Sequence, residues 1–338
     1  MSCGGTPKGD SIMRSNDHYM LKYVIKRLLL MLMVFFAILT ICFVMVRLLP
    51  RTLPQEKNMQ QVILARWEAL GYNEPMLTQL WIYLRNIFTD WDFGTSWYIS
   101  FRTPAWEVLT SRLLPTVMVN LYSFILSVPL GLLCGIFAAV VKNSWKDQLI
   151  STLVMVFVSV PSYVYAFLLQ YTLYFKAGIF PLTIYSLADA GGSWFTGKMF
   201  FSMVLPVLAL SFGQIAGLTR YTRAELTETL TSDYMLLART KGLTRSQATT
   251  RHALKNAMVP ILPMIISSFI GILGGAMIIE QIFGIPGVGR LFVTSINLLD
   301  YDVFMVDSLF YTFIGLLAGI VVDISYGFID PRIRMGQK

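Results

Sequence analysis

Few residues in this sequence have chemistry within reach. Two histidines, His18 and His252, and three cysteines, Cys3, Cys42 and Cys134, are all that 338 residues supply. Two histidines cannot build a metal centre by themselves. No Cys-x-x-Cys pair occurs, and Cys42 and Cys134 lie inside apolar runs, which argues against a disulfide framework or metal cluster. Gly192-Ser193-Trp194-Phe195-Thr196-Gly197-Lys198-Met199 imitates a phosphate-binding loop, but methionine stands where a Mg²⁺-holding hydroxyl is required. Gly287-Val288-Gly289 has no third glycine at the right place and follows no strand, so it reads as a turn. No Ser/His/Asp or Cys/His constellation stands out. The chain is therefore not expected to be an enzyme, and no catalytic residue, metal ligand or cofactor is assigned to it.

What remains is charge. The stretch from Tyr234 to Pro260 is the longest polar interruption between apolar runs in the second half of the chain. It carries Arg239, Lys241, Arg245, Arg251 and Lys255, with no acid after Asp233. Its spacing predicts two short helices. The first runs to about Lys241, with Gly242 where a left-handed C-terminal cap falls. The second opens at Thr244, with Gln247 at capping-box distance. A basic helix–turn–helix between two membrane spans is a natural docking knob for a soluble partner.

The elements that must position this knob are membrane helices. The composition is 55% hydrophobic and 14% charged, with mean hydropathy +0.62 and net charge +8, too little polar surface for a soluble domain of this size. Crossing a ~30 Å hydrocarbon core takes ~20 apolar residues. Six runs qualify: 28–49, 113–141, 148–175, 199–218, 258–282 and 303–328. The third is interrupted at Ser159-Val160-Pro161-Ser162, where proline predicts a kink. Residues 1–19 are polar and read as a disordered extension, with Met20 as a possible native start. Residues 50–112 read as an extracytoplasmic insertion, with helical spacing from Gln60 to Leu70 and with Trp67, Trp81, Trp91, Trp97 and Trp106. Those indoles suit either the headgroup layer or contact with an external protein. Residues 113–338 form the core, and 280–301 read as a loop.

Orientation follows from the basic residues. With both termini inside, the cytoplasmic pieces 1–27, 142–147, 220–257 and 329–338 hold 17 of the 27 lysines and arginines, and the external pieces hold nine. Glycines spaced by four (Gly131/Gly135, Gly271/Gly275, Gly315/Gly319) allow close helix approach. Arg47, Gln214, Glu280 and Asp323 are polar groups in or near spans, where ionised side chains cost ~2.5–3.5 kcal/mol at a helix centre. Snorkelling, salt bridging and a role in gating all remain open for them.

The polar stretch also resembles the cytoplasmic coupling loop of ABC-importer permeases, and within that family is similar to the oligopeptide/dipeptide (and nickel) branch. The resemblance rests on Asp233-Tyr234, Ala238-Arg239-Thr240-Lys241-Gly242-Leu243, Arg251-His252-Ala253-Leu254-Lys255-Asn256-Ala257 and Pro260. Of the general Glu-Ala-Ala…Gly…Ile-x-Leu-Pro pattern only Ala238, Gly242 and Leu254 are kept. Leu236, Leu237, His252 and Lys255 depart from it in the manner of the peptide branch. Gly71-Tyr72-Asn73-Glu74-Pro75, Asp92-Phe93-Gly94-Thr95-Ser96, Glu280, Phe283, Pro286-Gly287, Gly289, Asp323, Tyr326 and Asp330-Pro331-Arg332 extend the similarity along the chain.

The resemblance implies an all-α, six-span permease in a bacterial cytoplasmic membrane. It implies a second homologous permease, two ATPase subunits that hold ATP and Mg²⁺, and an extracytoplasmic peptide-binding protein, with no nucleic acid. Ala238, Arg239, Lys241, Gly242, Leu243, Arg251, His252, Leu254 and Asn256 are then the ATPase-coupling residues. Glu280, Phe283, Pro286, Gly287 and Asp323 are then gate or pathway candidates. An importer of nickel or another small solute, a stand-alone secondary transporter and a membrane-anchored scaffold are the alternatives.

Overall fold

The computed structural model describes residues 8–49 and 57–329. The first helix, α1 (Lys8–Leu48), starts well before its apolar run and takes in part of the segment read as disordered. The rest of that segment, 1–7, lies outside the described residues, as do Asp330-Pro331-Arg332. By length and composition five helices can cross a membrane: 24–48, 105–140, 197–230, 245–274 and 301–326. They become six if the bent pair α5 (Trp145–Ser159) and α6 (Ser162–Leu169, continuing as a wider turn over Gln170–Lys176) is one span. The interruption expected at Pro161 is a turn of 99° rather than a mild kink. The chain is an all-α, multi-pass membrane protein.

Between α1 and the second span lie α2 (Lys57–Ala69), α3 (Met76–Asp90) and a two-residue hairpin, β1 (Thr95–Ser96) against β2 (Thr103–Pro104). This region is packed onto the bundle. Tyr83 and Ile87 of α3 are buried with Leu39, Phe43 and Val46 of α1 and with Met305 and Leu309 of the last helix. Arg47 lies over the Tyr72 ring at 3.4 Å. Aromatic residues close the hairpin, with Phe93 and Trp106 stacked at 5.5 Å. The second span, α4 (Ala105–Val140), begins inside the segment read as external insertion. Trp106 is therefore part of a membrane helix.

The centre of the bundle is α4 against α7 (Gly197–Leu230), which outlasts its apolar run by some twelve residues. Their cross-links advance together along both helices. Ser123 faces Ser211 at 3.1 Å, the Ser127 hydroxyl donates to Gln214 Oε1 at 2.8 Å, and the Thr219 hydroxyl donates to the Gly131 carbonyl at 3.2 Å. The helices therefore run parallel. A Cβ on Gly135 would stand 2.8 Å from the Thr219 carbonyl, so here the glycine pair sets the approach. Gly315 and Gly319 meet nothing within 4 Å among the described residues, and Gly271–Gly274 is a tight turn that ends the fifth span.

After α7 come α8 (Asp233–Thr240) and α9 (Arg245–Ala248), which passes through a wider turn at Thr249–Ala253 into α10 (Leu254–Ile270). The second short helix expected in the polar stretch is thus the start of the fifth span. That span ends at Gly274, not at Ile282. The presumed loop 280–301 holds two helices, α11 (Met277–Ile282) and α12 (Val288–Asn297), before α13 (Tyr301–Ile329).

One carboxylate anchors the hairpin to this end. Asp300, between α12 and α13, accepts through Oδ2 from the Ser96 hydroxyl at 2.6 Å and from the Trp97, Tyr98 and Ile99 amides at 3.2, 3.0 and 3.1 Å. Asp302 accepts from the Thr95 amide at 3.0 Å. Hydrogen bonds to a charged group are worth ~1.5–3 kcal/mol each, and orphaned buried amides cost as much again. Asp300→Ala is expected to free residues 95–104, read as at least tenfold faster limited proteolysis within them. An unchanged digestion pattern would mean the aromatic packing holds the hairpin without Asp300.

Candidate functional site

Two polar constructions stand at opposite ends of α4. At its C-terminal end, α8 sits on the bundle through Met235 and Ala238, buried with Ala139, Leu226, Ala248, Ala253 and Ala257. Leu243 packs on the same cluster. Alanines predominate here because a short helix can only come close over small side chains. The turn after α8 needs Gly242, whose φ is +90°, a region closed to residues with a Cβ at low cost. The Leu243 amide closes it on the Ala238 carbonyl at 3.3 Å. The capping box is complete: the Thr244 hydroxyl accepts from the Gln247 amide at 3.3 Å, and Gln247 Oε1 accepts from the Thr244 amide at 3.1 Å.

Facing away from the bundle, Arg239, Lys241, Arg251, His252 and Asn256 are exposed, and Leu254 is half-buried. Tyr234, Leu236 and Leu237 are exposed beside them, Leu236 at 65%. The arrangement is a rigid knob with an apolar crown and a basic rim, the composition of a docking surface. Behind it Arg223 of α7 forks onto Asp147 at the start of α5, at 2.6 and 2.8 Å. Sequence reading overlooks this pair because its members lie 76 residues apart.

At the other end of α4, Glu280 is buried and fully engaged. Its Oε1 accepts from the Thr116 hydroxyl of α4 at 2.9 Å and from the Ala276 amide at 3.4 Å, and its Oε2 accepts from the Arg290 amide at 2.8 Å. Thr116 Oγ1 in turn accepts from the Val288 amide at 2.9 Å. Burial pushes the Glu280 carboxyl up from the ordinary carboxylate range, and these donors pull it back. Gly287 is buried against this group, and a Cβ there would collide with both Thr116 Oγ1 and the carboxylate. Phe283 is buried beneath, and Pro286 is half-buried. Of the gate candidates the structure thus brings together Glu280, Phe283, Pro286 and Gly287. It leaves Asp323 elsewhere, paired with Arg27 of α1 at 2.8 Å. Thr116 to Ala139 spans 23 residues of helix, ~35 Å at 1.5 Å per residue, enough to place the two constructions on opposite sides of a hydrocarbon core.

A further buried acid went unnoticed in the sequence. Asp307 of α13 is 0% exposed, and among the described residues neither carboxylate oxygen has a hydrogen-bond partner. The Tyr311 and Ser308 hydroxyls beside it are likewise unpartnered. Its place within a predicted span was the available signal.

Comparison with known proteins now adds the family. Residues 131–335 match the binding-protein-dependent transport system inner membrane component, and residues 20–118 match the N-terminal part of binding-protein-dependent transport system membrane components. The chain belongs to this family and is an ABC-importer permease of the dipeptide/oligopeptide type. It is 36% identical over 319 residues to the dipeptide transport system permease protein of Lactococcus lactis subsp. cremoris (strain MG1363), covering 94% of this chain and 100% of that one. It is 34% identical over 320 residues to the glutathione transport system permease protein of Salmonella typhimurium (strain LT2), covering 93% and 99%. The Escherichia coli K12 glutathione permease is 33% identical over 319 residues, covering 93% and 99%.

Two stability experiments separate bracing from other roles. Glu280→Ala orphans three donors and is expected to lower stability by about 3 kcal/mol, read as a clear drop in the melting temperature of the purified protein. Glu280→Gln, which keeps the acceptor oxygen, should recover about half of the loss. Asp307→Leu replaces an unpartnered buried carboxyl with an apolar side chain of similar size and should raise the melting temperature. A fall on that substitution would mean the carboxylate has a partner in the assembled protein.

Proposed function

We propose that the chain forms half of the translocation pathway of a peptide importer, beside a second, homologous permease. Two ATPase subunits and an extracytoplasmic peptide-binding protein complete the assembly. The dipeptide and glutathione cargo in the relatives' names supports a short peptide as substrate, and the nickel and small-solute alternatives find no support among them. The observation that carries the reading is the α8 knob: an exposed apolar crown with a basic rim, held by the Gly242 turn at one end of the parallel α4–α7 pair.

In this reading α8 enters a groove of an ATPase on the cytoplasmic side, and both termini lie on that side as well. Leu236, Leu237 and Tyr234 supply the buried contact, while Arg239, Lys241, Arg251 and His252 meet acids at its rim. ATP and Mg²⁺ belong to the ATPases. Nucleotide-driven closure of the two ATPases displaces α8, and α4 and α7 carry the displacement to the Glu280 end. Glu280, Phe283, Pro286 and Gly287 then form the framework of the outer gate, and the Arg27–Asp323 pair ties α1 to α13.

Purification of the tagged chain from its native membrane is expected to recover two P-loop ATPases, a second permease and a peptide-binding protein. Recovery of the chain alone, still moving solute, would replace this reading with a secondary transporter. Within the recovered complex, Gly242→Leu should cut ATPase association and peptide-stimulated ATP hydrolysis at least tenfold while leaving membrane insertion intact. Unchanged association would remove the coupling role from the turn.

A further inference from the structure

Beside the Glu280 brace is a cavity of about 220 Å³, lined by Arg112 of α4, by Pro286, Gly287, Arg290, Leu291 and Thr294, and by Ile99 of the hairpin. Two arginines, Arg112 and Arg290, line it together, and no acid does. Among the described residues neither is in a salt bridge. Two cations lining one concave site, with no acid in its walls, make it attractive to an anion. Arg290 is also held ready: one Nη1 hydrogen bond to the Gly284 carbonyl, at 3.0 Å, fixes its stem and leaves the rest of the fork open. The explanation that suits most of the 27 basic residues, an exposed cytoplasmic loop, does not apply here, because Arg112 sits at the end of α4 remote from the α8 knob.

We propose that this cavity binds a carboxylate, the C-terminal carboxylate of a peptide entering the pathway. Arginine forks match carboxylates with two parallel hydrogen bonds. The volume holds roughly seven waters at ~30 Å³ each, room for a carboxylate and its neighbouring residue but not for a folded segment. Ile99, Pro286 and Leu291 supply apolar walls for the last side chain, over a floor that includes Gly287. Because the floor and one wall belong to the loop wrapped around Glu280, occupancy reaches the outer-gate framework directly. The proposal rests on the peptide-importer reading for its ligand, but the site itself does not depend on transport.

Two measurements test it on the assembled complex in lipid nanodiscs. In the first, phenylglyoxal labelling of Arg112 and Arg290 is read by mass spectrometry with trialanine or trialanine amide present. The free acid is expected to protect both arginines at least fivefold and the amide to protect neither. Equal protection, or none, overturns the proposal. In the second, peptide-stimulated ATP hydrolysis is compared for the two peptides with the binding protein unchanged. Arg112→Gln should raise the half-saturating concentration of the free acid about tenfold relative to wild type and leave the amide unchanged, with Arg112→Lys intermediate. An equal loss for both peptides would assign the arginines to an acidic side chain of the delivery protein and sink the peptide site. Selective protection in a wild-type complex whose ATP hydrolysis ignores peptide would leave the carboxylate site standing and remove peptide as the coupled cargo.

Discussion

A helix that starts inside a membrane protein must find acceptors for its first amides, and Glu280 meets that need where the chain restarts after the fifth span. The fifth span breaks at Gly271–Gly275, and the chain restarts twice within fifteen residues, as α11 and α12. One carboxylate accepts from the Ala276 amide, just before α11, and from the Arg290 amide in the first turn of α12, and the Thr116 hydroxyl couples it to α4. Negative charge at helix N-termini is favoured by the helix dipole as well as by the hydrogen bonds. Remove the carboxylate and two helix starts and a span lose their common fixed point. The glycine at 287 is a consequence of the same requirement, since the backbone must come within touching distance of the acid it feeds.

The opposite end is held by different physics. There the acids are few, and closeness is obtained with alanines under α8 and with one forked Arg223–Asp147 pair. Between the two ends α4 and α7 are pinned by hydroxyl and small-residue contacts at four successive levels. Such a pair moves as one body, because each contact has little slack. The compliant places lie outside it, at the 99° turn between α5 and α6 and at the Gly271–Gly275 break. In the coupling we propose, this pair is what links α8 to the Glu280 brace.

Much of this was legible in the sequence, for reasons that can be stated. Apolar runs mark spans because lipid imposes a composition, and Thr244, Gln247 and Gly242 mark a turn because their local geometry depends only on neighbours. Helix ends were less legible. α4 and α7 extend beyond their apolar runs because a helix continues as long as its backbone bonds do, whatever the side chains face. The third span's proline signalled a break but not its angle, which packing decides. Asp300 and Asp147 were invisible as anchors. A carboxylate that collects distant amides or a distant arginine has no period and no motif, only a position that folding creates.

The distribution of charge then separates structure from function in a way neither sequence nor fold does alone. Asp147, Glu280, Asp300 and Asp302 are buried or nearly so, and each is committed to named donors. Their partners in this structure give them a bracing role. Three groups among the described residues stand apart from this scaffold: the basic rim of α8, the Arg112–Arg290 cavity and Asp307. The first faces away from the bundle where a macromolecule can cover it, and the second opens where a small anion can enter. The third is sealed inside α13 with two idle hydroxyls beside it. Burying an unpartnered polar group inside a membrane protein is costly, which separates Asp307 from the four acids whose donors are in place.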